Sequence, residues 1–186
     1  MKIVLVNGPP RAGKDLFGAL LQAKLSATGR WVEVLKFANP LKTAVHRALG
    51  LNPEPDAFEH LKDRRLPEFG GRTPREVYIA YSEKFVKPLF GDGWFGVQLG
   101  KEITASNPDV AIVTDSGFRG EAWELITQFG ETRIRLCRLH RPGHTFENDS
   151  RSYITLPVRS QDVDNTGDEN DLALRATELL PWILAD

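Results

Sequence analysis

Two rhythms alternate along this chain. Short apolar, β-branched runs are separated by longer stretches in which apolar positions return every three or four residues. Residues 2–7, with Ile3-Val4-Leu5-Val6 at their centre, predict a central parallel strand covered on both faces. A helical pattern runs from Lys14 to about Ala27 and stops at Gly29. Residues 31–37 alternate and predict a second strand. Strand, helix and strand at this spacing make a βαβ unit, with a parallel sheet and a right-handed crossover. Asn39 and Pro40 open the next helix, Asn39 as its cap, and Gly50 closes it. Residues 52–72 are polar and irregular. Thr73-Pro74-Arg75-Glu76 then reads as a capping box with proline in the first turn, and its helix is expected to reach about Phe85. A further helix is predicted from Phe95 to about Thr104, with Trp94 and Phe95 in the core. Residues 110–115 predict a third strand, 121–129 a helix and 132–139 a fourth strand. A loop follows, then a short strand at 161–164, a turn and cap at 165–168, and a last helix over 170–180 with Pro181 beyond it.

At 186 residues, with 41% hydrophobic and 26% charged positions, the chain has the composition of one globular domain. Its net charge of −1 provides no global basic field for nucleic acid, although a local basic groove stays open. Cys137 is the only cysteine and falls in an apolar alternation, so neither an intrachain disulfide nor a cysteine zinc site is expected. No signal-peptide pattern and no membrane-length apolar run stand out, and a soluble cytoplasmic protein is expected.

The chemistry concentrates where the first strand gives way to the first helix. Gly8-Pro9-Pro10-Arg11-Ala12-Gly13-Lys14-Asp15 reads G-x-x-x-x-G-K, the phosphate-binding P-loop, with Asp where Ser or Thr is usual. Loop amides and the helix N-terminus converge on phosphate oxygens, and Lys14 adds a point charge. Asp15 has several readings: a direct or water-mediated Mg²⁺ group, or a proton acceptor. Asp115, at the tip of an apolar strand, stands where P-loop enzymes keep the carboxylate that holds Mg²⁺ or its water. Arg72 and Arg75 flank a helix start and suit an acceptor phosphate, and Arg119 is a further phosphate candidate. Phe37 to Lys42 lies just past a strand's carboxyl end, the ligand edge of open α/β sheets, although a plain helix cap explains it equally well. Arg141, Asp149, Arg151 and Arg159 fall in a late loop that reads as a lid. His140 and His144 read as surface loop histidines.

Several short runs, in order, resemble the phage deoxynucleoside monophosphate kinases of the P-loop kinase superfamily. They are Gly13-Lys14-Asp15, residues 37–42, Gly71 to Glu76, Thr114-Asp115 followed by Phe118-Arg119 and Glu121, Arg141-Pro142-Gly143, and Asn165-Thr166-Gly167. The resemblance implies a three-layer α/β/α sandwich with a mostly parallel five-stranded sheet. It also implies an acceptor-binding helical insert at about 52–104 and an arginine-containing lid at about 140–160. ATP and Mg²⁺ are the implied cofactors. Gly8, Arg11, Ala12, Gly13, Lys14, Asp15, Leu16 and Asn165 would hold the nucleotide, and Asp15 and Asp115 the metal. Asn39, Lys42, Arg72, Arg75, Arg119 and Asp149 would contact the acceptor. Lys14, Asp15, Asp115, Arg141 and Arg151 would act in catalysis. The implied partner is a deoxynucleoside monophosphate or modified DNA, not a membrane. A homodimer is compatible, and a phage-encoded protein would work in the host cytoplasm.

Two departures matter. The family's Asp-x-Arg-Phe run is here Asp115-Ser116-Gly117-Phe118-Arg119. Residues 146–153 (Phe-Glu-Asn-Asp-Ser-Arg-Ser-Tyr) look more like the related phage kinases that phosphorylate 5-hydroxymethyluracil in DNA. The Lys-Asp P-loop also resembles animal-type phosphomevalonate kinase. A nucleotide-binding regulator without an acceptor is a further reading, and the arginine clusters weigh against it.

Overall fold

A computed structural model describes residues 1–147 and 149–186. Asn148, inside the expected lid, lies outside the described residues. The core is one five-stranded sheet in the order β2-β3-β1-β4-β5, every neighbouring pair parallel. Its strands are β1 (Lys2–Asn7), β2 (Val32–Leu35), β3 (Val110–Ser116), β4 (Ile134–His140) and β5 (Arg159–Asp164). The sequence-based expectation was a mostly parallel sheet.

Alternation sends side chains of each central strand to opposite faces, and helices cover both. On one face Val4, Val6, Ile112 and Cys137 meet Phe17, Leu21 and Leu25 of α1 (Lys14–Ser26). The same cluster takes in Leu172 and Ala176 of α7 (Glu169–Glu178) and Ile183 of α8 (Leu180–Leu184). On the other face Ile3, Leu5, Val113 and Leu136 meet Leu99 and Ile103 of α5 (Trp94–Ser106) and Leu125 of α6 (Arg119–Phe129). This is the expected α/β/α sandwich. Burial pushes the Cys137 thiol up to about 12.

The α5–α6 contact depends on two glycines one turn apart. A Cβ on Gly96 would lie 2.2 Å from the Glu121 carbonyl oxygen, and one on Gly100 would run into the Gln128 side chain. Gly18 does the same for α1, where a Cβ would lie 2.4 Å from Thr114 Cγ2.

A third cluster sits beside the sandwich. It joins Val45 of α2 (Ala38–Ala48), Leu66, Phe69 and Tyr78 of α3 (Pro74–Tyr81). Buried His46 bonds Tyr78 Oη at 2.6 Å, and Phe58 and Phe69 meet its ring edge-on. The span expected as one insert, 52–104, therefore divides. Its first part shares a small core with α2, and α5 belongs to the main sandwich. The Thr73–Glu76 capping box forms as expected. Its helix continues past Phe85 through a π-helical turn (Ser82–Val86) into α4 (Lys87–Phe90). Pro88 lacks an N–H, and the wider turn accommodates the break in the hydrogen-bond ladder.

Two boundaries differ at the end of the chain. β5 starts at Arg159, two residues earlier than expected, because it is a polar edge strand in which only Val163 is buried. Cross-strand pairing holds it: Arg138 forks onto Asp162 at 2.9 and 3.0 Å, and His140 meets the same carboxylate at 2.7 Å. Arg159 pairs with Arg135 at the strand's amino end, opposite to the loops, so it is no lid residue. Beyond Leu179 the chain does not stop but forms α8, with Pro181 in its first turn. The guanidinium of buried Arg135 donates to the Trp182 carbonyl at 3.2 Å and to that of Ala185.

Candidate active site

All five strands point their carboxyl ends at one edge, and the loops leaving that edge carry most of the candidate residues. The P-loop leaves the central strand. Gly13 has φ 96° and Arg11 φ 62°, the left-handed turns by which the loop wraps back on itself. Ala12 N donates to the Pro9 carbonyl at 3.2 Å, and Gly13 caps α1 with no side-chain help. Space around the loop is tight: a Cβ on Gly8 would lie 2.8 Å from the Leu139 carbonyl oxygen. Asn165, at the tip of β5, braces the loop from outside by donating Nδ2 to the Ala12 carbonyl at 2.8 Å. Arg141 donates to the Arg11 carbonyl at 3.2 Å. Leu16 is exposed in the first turn of α1.

Lys14 Nζ lies 2.7 Å from the Pro9 carbonyl. Burial, with Arg151 nearby, lowers its pKa. Asp15 accepts from Thr114 Oγ1 at 2.8 Å and pairs with Lys36 at 3.2 Å. Burial pushes its carboxyl up, but Thr114 and Lys36 outweigh that and hold it below the usual range.

Asp115 does something sequence reasoning missed. Its two carboxylate oxygens accept from the Phe37 and Ala38 amides at 2.8 and 3.0 Å. It thus caps α2 from the neighbouring strand β3. Asn39, the expected cap, sits inside the first turn of α2, and its Oδ1 is buried with no hydrogen-bond partner. Burial raises the Asp115 pKa, with the two amides pulling the other way. Glu121, buried on α6, is pushed up to about 8 by burial and by the Asp115 charge.

The segment expected as a lid returns across this edge. Asp149 holds Arg151 in a fork, Oδ1 to Nε at 2.8 Å and Oδ2 to Nη2 at 2.7 Å. That fork raises the Arg151 pKa and lowers that of Asp149. Tyr153 stacks on His140 and donates to the Leu139 carbonyl at 3.0 Å. Asn7, fully buried at the end of β1, ties lid to sheet. Its Nδ2 donates to the carbonyls of Ser116 (2.7 Å) and Ser152 (3.0 Å), and its Oδ1 accepts from Ile154 N at 3.0 Å. A polar residue between an apolar strand and a P-loop was the available signal for Asn7. Lys36 gave no local signal and Thr114 stood out only as the neighbour of Asp115, because only tertiary contact reveals their tie to Asp15.

The acceptor candidates divide. Arg75 forks onto Asp63, Nε to Oδ1 at 2.6 Å, within the field of Arg151. Lys42 is buried and pairs with Glu59 at 2.7 Å and Asp56 at 3.5 Å. Burial pushes Glu59 up, yet hydrogen bonds from Lys42 and Lys62 bring its pKa down to about 2. Arg72 is exposed and makes backbone bonds to Leu66 and Phe69. Arg119 lies over the Trp123 ring, in an open depression shared with Gly93 and Glu124. Helical geometry turns Arg119 outward where Glu121, two residues on, turns inward. No cluster of three or more metal-ligating side chains forms among the described residues.

No protein-family model matches the sequence, and no curated protein sequence matches it. Solved structures do share its fold. A sugar kinase from Janibacter sp. HTCC2649 superposes with a TM-score of 0.55 at 10% identity, covering 100% of this chain and 99% of that one. A gluconokinase from Sinorhizobium meliloti 1021 gives 0.51 at 12% identity, covering 98% and 93%. The α/β fold of this chain, with its all-parallel sheet, is the fold of those two kinases.

Proposed function

We propose that this protein is an ATP-dependent phosphotransferase whose acceptor is a deoxynucleotide, a deoxynucleoside monophosphate first. The carrying observation is the P-loop on the central strand, with Lys14, Asp15, Asp115, Arg151 and Arg75 disposed around one sheet edge. The loop suits polyphosphate: left-handed turns at Arg11 and Gly13 curl it back on itself, the geometry in which successive amides can face an anion, and bulk at Gly8 is forbidden. Asp15 and Asp115 offer the hard oxygen donors that Mg²⁺ requires. Mg²⁺ bound there would neutralise charge on the ATP phosphates. Lys14 and the loop amides would bind and orient those phosphates, and the Arg151 and Arg141 guanidinium groups would stabilise charge on the moving phosphoryl group.

The acceptor follows from the carboxylates. A monophosphate attacks with an oxygen that is already anionic and needs no base. A hydroxyl acceptor must lose a proton. Asp15 and Asp115 would be taken up by the metal and Asp149 is tied to Arg151, so none of the three is left to act as a base, which favours the monophosphate. Glu121 supports a second reading. A buried carboxyl at about 8 would serve a hydroxyl acceptor such as 5-hydroxymethyluracil in DNA, and transfer would then rise with pH up to that value.

The test is transfer of radiolabelled γ-phosphate from ATP to a panel of deoxynucleoside monophosphates, and to duplex DNA containing thymine or 5-hydroxymethyluracil. Label in a deoxynucleoside diphosphate is expected. Label only in hydroxymethyluracil DNA selects the second reading, and label in neither sinks both. Lys14→Ala should abolish transfer while the thermal melt is retained.

A further inference from the structure

Arg151 lies where it does because position 117 carries no side chain. A Cβ built on Gly117 would lie 2.5 Å from Arg151 Cδ, 2.7 Å from Cγ and 2.8 Å from Cβ. The clash runs along the whole stem to its root, so rotating the far end of the arginine does not relieve it. Gly117 follows directly on β3, and its carbonyl faces Ser152 N at 3.5 Å. Asn7 fixes the same crossing from below through Ser116, Ser152 and Ile154. The lid backbone and the arginine stem are therefore located independently. Asp149 then sets the twist of the guanidinium by taking Nε and Nη2, and Nη1 is the amino group the fork does not use. The group lies close enough to Lys14, Asp115 and Glu121 to shift the ionisation of each.

We propose that Gly117, with Asn7 beneath it, is a positioning residue that seats the Arg151 stem across the tip of β3 and so presents the guanidinium to the phosphates at Lys14. This rests on the phosphotransferase reading above. Gly117 touches no substrate; it acts through Arg151.

The experiment is a double-mutant cycle on the full chain with Gly117→Ala, Arg151→Gly and the pair combined, glycine being chosen at 151 because alanine would keep the Cβ that lies 2.8 Å from the new methyl; it is read as kcat and KM for ATP beside a thermal melt. Arg151→Gly should lower kcat about 100-fold or more, the scale of losing one charge-stabilising donor. Gly117→Ala should lower kcat at least about 10-fold, a fraction of that loss, with a far smaller change in KM. The double variant should be no slower than Arg151→Gly alone, because without the stem there is nothing left to seat. Multiplying losses, or Gly117→Ala with wild-type kcat, would overturn the proposal. A Gly117→Ala protein that fails to fold while the double variant folds supports it, since the three atoms nearest the new Cβ all belong to Arg151; misfolding of both overturns it. If the wild-type protein transfers no phosphate, the kinase reading fails. The same cycle is then read on the Kd for inorganic tripolyphosphate, where coupled losses support the seat and independent ones overturn it. A wild-type protein that does not bind tripolyphosphate overturns both.

Discussion

Gly96→Ala adds one methyl group between α5 and α6, and the structure gives the cost. The new Cβ would stand 2.2 Å from the Glu121 carbonyl oxygen and 2.9 Å from its carbonyl carbon and Cα. Heavy atoms rest near ~3.5 Å, so the helices must part by roughly 1 Å. The obstacle is backbone, and no rotamer change removes it. Parting them loosens Leu99 and Ile103 from Ala122, Leu125 and Ile126. Overpacking of this kind costs ~1–3 kcal/mol, and a backbone clash belongs at the upper end. Against it, alanine gains about 1 kcal/mol over glycine inside a helix. The net expectation is a loss of about 2 kcal/mol, or roughly 4–8 °C in Tm for a chain of this size. Gly120→Ala is the control, because its Cβ meets nothing closer than 3.4 Å. That variant should be neutral or stabilised by up to ~1 kcal/mol. Urea unfolding followed by circular dichroism reads both. A Gly96→Ala protein as stable as Gly120→Ala would refute the close approach of the two helices.

Asp115→Ala leaves the Phe37 and Ala38 amides without their acceptor and should cost about 1–3 kcal/mol in urea unfolding; wild-type stability would show that Asp115 caps nothing. Glu59, held at about 2 in the fold against an ordinary 4.5, contributes stability above the ordinary value that disappears as pH falls toward 2. Glu59→Gln should therefore flatten the acid limb of stability against pH over that window, and an unchanged acid limb would contradict the Lys42–Glu59–Lys62 network. Arg135→Leu removes the donors to the Trp182 and Ala185 carbonyls and should loosen α8 before the sheet, seen as faster amide exchange confined to residues 180–184.

The parts of this molecule governed by local rules were legible in the sequence. The P-loop and the Thr73–Glu76 box are set by contiguous residues, and their elements appear where expected. The features missed join residues far apart. Asn39 has the chemistry of a cap, but Asp115 reaches α2 from 76 positions away in sequence, with two oxygens against one. β5 is polar because it is an edge strand held by Arg138 and Asp162, so hydrophobic periodicity marked only its end. Arg119 and Arg151 look alike in sequence. One lies on Trp123 and the other crosses Gly117, and only the fold separates them.

The lone thiol has a practical consequence. Cys137 is enclosed in the central layer and its thiolate is strongly disfavoured, so maleimide dyes and mild oxidants should leave the native protein untouched. The wild-type chain is then a ready-made silent background for spectroscopy. One cysteine introduced at exposed Phe85 and another at exposed Tyr153 would carry a fluorophore pair, and the lid's distance from the α3–α4 shoulder could be followed in solution without first removing a native residue.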